Sequence, residues 1–255
     1  MTKIELVRID STGKKNIEDA VCEEAPLTIY LEGKELLTLL CSPNDLKELC
    51  IGFLYSSRLI KSIDDIKNII IDRQNWNANI ELNKKMGNNK LMFKRLYTSG
   101  CGKGTVFYNA LDCIHKIKIT SDARISSEKI VALMDCFQAS SLGFKETGGV
   151  HSAALSSGDD ILVFKEDIGR HNALDKVIGE ALVKNLNMKD SIILTSGRIS
   201  SEIISKAESA RASFLISRSA PTDQAIKLAK ELNLTLIGFV RGKRMNVYTA
   251  NERVT

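Results

Sequence analysis

Between residues 161 and 240 the chain alternates short apolar runs with amphipathic stretches, and this rhythm constrains its fold more than any other feature. Ile161-Leu162-Val163-Phe164, Ile192-Ile193-Leu194, Phe214-Leu215-Ile216 and Leu234–Val240 read as strands, the last of them closing the series. Ala173–Leu186, Ser200–Ala212 and Thr222–Leu232 read as helices because their apolar residues recur at helical spacing. Strands alternating with helices predict βαβ units and a mainly parallel sheet.

The earlier half has another character. Leu27–Leu31, the turn Glu32-Gly33-Lys34 and Leu36–Leu40 predict a hairpin. Ser42 as N-cap, with Pro43 in the first turn, opens a helix whose apolar stripe is Leu46, Leu49, Cys50, Phe53 and Leu54. Further strands fall around Ile69–Ile71 and Ile80–Leu82. Residues 93–125 are less regular and hold Gly100, Gly102 and Gly104, which predicts a mobile connection. Ser126 or Ser127 then caps a helix through Ile130, Leu133, Met134 and Phe137. The expectation is an α/β chain in three parts: a smaller, strand-rich α+β domain over 1–95, a loop region over 96–125, and an α/β domain over 126–255.

Composition narrows the class. Hydrophobic residues at 44% and charged residues at 26% are ordinary for a globular chain that can bury a core unaided. No run approaches the roughly 20 apolar residues of a membrane span, and the N-terminus has no signal-peptide core. The six cysteines form no C-x-x-C pair, so reduced thiols and a cytoplasmic location are expected. Three histidines without paired cysteines make no recognisable metal set.

In an open parallel sheet, ligands bind beyond the carboxyl ends of the strands. The loops predicted at that edge are Glu166–Asn172, Thr195–Arg198 and Ser217–Thr222, with Arg241–Asn246 leaving the last strand. Arg170, Arg198, Arg218, Arg241, Lys243 and Arg244 therefore converge from four loops, beside helix N-termini whose N–H groups favour anions. A phosphate-rich small ligand fits this better than nucleic acid, because aromatics are only 5% and no basic-aromatic stripe occurs. His151 and His171 are candidates for acid–base work or phosphate donation, weighed against plain structural roles.

Cys101 sits in Ser99-Gly100-Cys101-Gly102-Lys103-Gly104. Glycines on both sides leave the thiol accessible, and Lys103 favours its thiolate, the form able to take sulfur from a persulfide.

Several segments then carry a resemblance. Gly148-Gly149-Val150-His151, Glu166–Lys176, Ser196-Gly197-Arg198, Ser219-Ala220-Pro221-Thr222 and Gly238–Gly242 with Asn246–Thr249 resemble the formate dehydrogenase accessory sulfurtransferase family. The resemblance covers most of residues 145–250, with a looser match around Cys101. It implies a C-terminal three-layer αβα domain similar to cytidine deaminases, without the deaminase zinc set: no Pro-Cys-x-x-Cys is present, and His151 is not followed by a glutamate two residues on.

It further implies a sulfur carrier that takes persulfide sulfur from a cysteine desulfurase. The recipient is the molybdenum bis(molybdopterin guanine dinucleotide) cofactor destined for formate dehydrogenase. Cys101 would be the catalytic residue. Phe239, Val240, Arg241, Gly242, Lys243 and Arg244, with Arg170, His171, Ser196, Arg198 and Ser219, would hold the cofactor. The cofactor is bound substrate; no metal of the protein's own, no nucleic acid and no membrane partner are expected, and a homodimer is. The family often has Cys-Gly-x-Cys in the loop, and here Gly104 stands at the second cysteine. A single sulfur suffices to carry a persulfide, so the carrier role stays open, beside a cofactor-binding chaperone without sulfur chemistry, a nucleotide-hydrolysing or deaminating enzyme and a nucleic-acid regulator.

Overall fold

A computed structural model describes residues 1–83 and 117–255. Cys101 and the glycines around it lie outside the described residues, and so does the mobile connection expected over 93–125 up to residue 116.

The chain begins with an antiparallel pair, β1 (Thr2–Asp10) and β2 (Gly13–Val21), in full register from Thr2↔Val21 to Asp10↔Gly13. Nearly all of it is exposed on both faces; Val7 and Ile9 are 56% and 68% accessible. A four-stranded sheet follows, ordered β4 (Lys34–Cys41), β3 (Ala25–Leu31), β6 (Asn77–Leu82), β5 (Ile66–Asp72). The turn between β3 and β4 is the expected one, with Glu32 and Gly33 both at positive φ, as a two-residue hairpin turn requires. Helix α1 (Leu46–Ser56) covers this sheet, packing Leu46, Leu49, Cys50 and Leu54 on Leu27, Ile29, Leu31 and Ile80.

After the gap come α2 (Ser127–Ala139), α3 (Leu142–Thr147), β7 (His151–Ser156), β8 (Ile161–Asp167), α4 (Arg170–Val183), β9 (Ile192–Thr195), α5 (Ser201–Ser209), β10 (Phe214–Ser217), α6 (Asp223–Leu232), β11 (Thr235–Arg241) and β12 (Arg244–Thr249). Ser126 Oγ accepts the Lys129 N–H at 3.3 Å as N-cap of α2, and Thr222 Oγ1 accepts the Ala225 N–H at 3.2 Å as N-cap of α6. The strands form one sheet ordered β12-β11-β10-β9-β7-β8. Ala153, Leu155, Ile193, Leu215 and Leu236 face α4, α5 and α6. Ala154, Leu194, Phe214, Ile216 and Ile237 face α2 on the opposite side. Helices on both faces make the expected three-layer αβα arrangement.

Three expectations need correction. The sheet is mixed rather than mainly parallel. Only β9–β10 and β10–β11 pair in parallel, because β7 inserts antiparallel between β8 and β9. Leu234–Val240 does not close the series: the chain turns back as β12 against β11. Nor does Ser42 cap α1. Asp45 holds that place at φ 51, while Ser42 Oγ accepts the Ile168 N–H at 3.1 Å and Ser42 N–H donates to Asp167 Oδ2 at 3.0 Å. A distant partner in the other layer outbids the local cap.

That contact belongs to a joint between the two halves. Lys176 Nζ lies 2.7 Å from Asp167 Oδ2, both side chains fully buried, and donates to Ser42 O and Asn44 Oδ1 at 3.2 Å each. Asn172 Nδ2 donates to Leu40 O at 2.8 Å and to Asp167 Oδ1 at 3.0 Å. Above this knot α1 crosses α4 at two glycines. A Cβ on Gly52 would come 1.8 Å from Asp175 O, and one on Gly179 would come 1.9 Å from Glu48 O. No other residue lets these two backbones touch.

Candidate functional site

Four strands of the large sheet, β8 to β11, run in one direction, because β8 and β9 are each antiparallel to β7. Their carboxyl ends therefore share one edge, together with the start of β7 at His151. The inserted strand spoils the parallel pairing without moving the loops that the sequence placed at this edge.

Backbone hydrogen bonds tie these loops together. Ile199 N–H donates to Ala220 O at 3.0 Å and Thr222 N–H to Ile199 O at 2.9 Å, zipping the β9–α5 loop to the β10–α6 loop. Phe239 N–H donates to Ser219 O at 3.1 Å, and Arg241 Nε to Arg218 O at 3.3 Å, fastening the end of β11 to the same array. Ser217 Oγ donates to Gly197 O at 2.8 Å from beneath. A surface fixed in this way loses little entropy when a ligand arrives.

Beside the array lies a cleft of about 680 Å³, a size suited to a nucleotide-like molecule. His151, Ser196, Arg218, Ser219 and Arg241 line it from the sheet side, and Lys145, Gly148 and Gly149 line it from α3 and the turn that follows. Arg218 Nε is buried and finds no hydrogen-bond partner among the described residues. A guanidinium donor is costly to leave unsatisfied, which sets Arg218 apart among the residues that line the cleft. Gly197 is pinched between neighbours: a Cβ there would meet Arg170 Cβ and Cδ at 3.0 Å and His151 Nδ1 at 3.4 Å.

Electrostatics differ across the site. His151 is held below its ordinary value, first by burial and then by Arg170 and His171, with Asp167 opposing. His171 Nε2 stands 3.0 Å from Glu202 Oε2 without a well-aligned hydrogen bond. The His171 ring is the main influence holding Glu202 below the usual carboxylate range, against burial, and Lys206 and Arg170 add to it.

A profile of the FdhD/NarQ family matches residues 22–255. The chain belongs to the FdhD/NarQ family. It is 41% identical over 251 residues to a protein of Listeria innocua named sulfur carrier protein FdhD, covering 97% of this chain and 96% of the relative. It is 44% identical over 239 residues to the Bacillus subtilis protein of the same name, covering 93% and 91%. The crystal structure of a candidate formate dehydrogenase accessory protein from Desulfotalea psychrophila shares the fold with a TM-score of 0.82 at 25% identity, over 100% of this chain and 99% of that one.

Within this FdhD/NarQ chain the residues singled out from sequence divide into groups. Ser196, Ser219 and Arg241 line the cleft. Arg170 flanks Gly197 behind it, and His171 turns toward Glu202 on α5. Arg198, Gly242, Lys243 and Arg244 are exposed, Gly242 and Lys243 on the β11–β12 turn and Arg244 at the start of β12. Val240 packs into the core under α2, and Phe239 is half-buried at φ 55. The cleft wall formed by Gln138, Lys145, Gly148 and Gly149 was not assigned to the site from sequence; a glycine pair just ahead of a strand at the binding edge was the available signal. Among the described residues, no group of three or more His, Cys, Asp or Glu side chains is placed to hold a metal ion, and no helix is long and apolar enough to cross a membrane.

Proposed function

We propose that this chain is a sulfur carrier in formate dehydrogenase maturation, holding the molybdenum bis(molybdopterin guanine dinucleotide) cofactor as substrate while Cys101 delivers sulfur to it. The observation that carries the reading is the cleft at the shared strand edge, where Arg218 offers an orphaned buried donor beside Arg241, Ser219 and Ser196. These are groups for pyrophosphate. The relatives named as sulfur carriers support the chemistry.

The first step needs only a thiolate and a persulfide. The Cys101 thiolate attacks the terminal sulfur of the persulfide on a cysteine desulfurase. A new S–S bond forms at Cys101, the donor's S–S bond breaks, and the donor leaves as thiolate. Electrons balance without an external oxidant. Lys103 keeps Cys101 in the reactive form. Arg170, His171 and Arg198, with Phe239–Arg244, complete the cofactor's surroundings, and the carrier works as a cytoplasmic homodimer.

Intact mass spectrometry after incubation with desulfurase and cysteine tests this. Wild type should gain one sulfur that dithiothreitol removes, and Cys101→Ala should gain none and fail to activate formate dehydrogenase. If Cys101→Ala supports full dehydrogenase activity, the protein is a cofactor chaperone and not a carrier.

A further inference from the structure

His151 has no role in the reading above, yet it stands among the groups that do. It opens β7 between the ends of β8 and β9 and lines the cleft. Its Nδ1 lies 3.3 Å from Ser196 Oγ, whose oxygen already accepts the Ser152 N–H at 3.0 Å. Ser196 Oγ keeps its proton and a second lone pair, so it can donate to a bare Nδ1 or accept from Nδ1–H, and it suits either state of the ring. Nε2 has no hydrogen-bond partner among the described residues and is not sealed from solvent. The ring thus leaves Nε2 open to a ligand in the cleft, and that nitrogen is a donor whenever the ring is charged.

We propose that His151 is a ligand-contacting residue whose Nε2–H meets a phosphate of the bound nucleotide, and that binding brings a proton from solvent onto the ring. This rests on the reading of the cleft as a guanine-nucleotide phosphate site.

The surroundings of the ring supply the coupling. From α4 it faces Arg170 and His171, and from the end of β8 it faces Asp167. Lys145, Arg218 and Arg241 line the same cleft. In this cationic, half-buried setting a second positive charge is disfavoured, so the ring is neutral near pH 7 while the cleft holds no anion. A ligand bringing two negative charges against Nε2 reverses the balance, because the imidazolium then has a partner.

Ser196 serves both states. It donates to a bare Nδ1, or turns its proton away and accepts from Nδ1–H once the ring is charged. The only bond made is N–H, and the proton comes from the buffer. Binding raises the pKa of His151, so affinity is greatest at low pH and falls as pH rises through the bound-state value. Ligands of single charge gain less, which makes His151 a selector for pyrophosphate-like groups.

The test is calorimetric titration of the full chain with GDP at about pH 7.5, above the last ionisation of a phosphate near pH 6, in two buffers of different ionisation enthalpy. Wild type should take up a fraction of a proton, approaching one, for each GDP bound. H151Q keeps a neutral donor but cannot be charged, so the uptake should vanish and affinity should fall several-fold. Nitrogen-15 histidine NMR of the wild type gives a reading independent of any variant's folding, with the His151 signal assigned by elimination in His115→Gln and His171→Gln. The His151 ring should be neutral without ligand and move toward imidazolium at saturating GDP. GDP binding with no proton uptake, an uptake that persists in H151Q, or a ring that stays neutral overturns the role of His151 and leaves the cleft reading standing. Absence of any GDP binding to wild type overturns both.

Discussion

Lys176 Nζ lies 2.7 Å from Asp167 Oδ2 with neither side chain exposed, and the pair fastens the β4–α1 corner to the start of α4. Removing one partner strands the other charge in the interior, at a cost of about 3–5 kcal/mol. Lys176→Met and Asp167→Asn should each lower stability to chemical denaturation by that amount. The double variant should lose much less than the sum, because neither charge is left alone. Additive losses would show that the two residues act separately.

Gly52 and Gly179 allow α1 and α4 to touch, and a methyl group at either position would occupy backbone space. Gly52→Ala and Gly179→Ala should each cost about 3 kcal/mol, the upper end for overpacking, far beyond the gain in helix propensity that alanine brings. Thermal melts decide it. A variant melting with wild type would mean that the crossing yields easily.

Burial, aided by Asp167, pushes the Cys41 thiol up to about 12, and burial pushes Cys50 upward as well. Both thiols are wholly inaccessible, whereas Cys136 is exposed. Iodoacetamide at about pH 8, just below an ordinary thiol's value, should therefore alkylate Cys136 quickly and spare Cys41 and Cys50 until the chain unfolds. The linkage has a definite sign. A folded value raised above the unfolded 9.0 means that the Cys41 contribution is intact below about pH 9 and is lost as pH climbs toward about 12. Denaturation midpoints should fall over that alkaline window, and more shallowly in Cys41→Ala.

Arg218→Ala removes the buried donor that has no internal partner. Since hydrogen bonds to charged groups contribute about 1.5–3 kcal/mol, GDP affinity should fall roughly ten- to hundredfold. Folding should be undisturbed, because the lost Nε–H was satisfying nothing. Equal GDP affinity in Arg218→Ala and wild type would remove this residue from the site.

The large domain was legible because βαβ alternation is written in periodicity, and the strand ends that position Arg170, Ser196 and Ser219 follow from it. The inserted strand was not. His151-Ser152-Ala153-Ala154-Leu155-Ser156 has small residues on both faces and is buried at five of its six positions, so no alternation announces it. The β1–β2 arm escaped for the opposite reason. With both faces wet, its pattern of Ile4, Leu6, Val7 and Ile9 reports no core. The cap at Ser42 failed because sequence shows only local partners, and the winning one was 126 positions away. Of the six basic residues expected at this edge, Arg218 and Arg241 line the cleft. Lys243, on the turn, and Arg244, opening β12, are exposed, which counting loops does not reveal.

The stretch from Glu166 to Lys176 interleaves two trades. Asp167, Asn172 and Lys176 hold the halves of the molecule together, while Arg170, between them, packs beside Gly197 behind the cleft and His171 turns to Glu202. Arg170 and His171 could therefore change while Asp167, Asn172 and Lys176 stayed, because losing those would weaken the joint. Recognition of this stretch in another chain therefore speaks for the architecture; whether the proposed ligand is still held must be asked of the cleft residues Arg218 and Arg241.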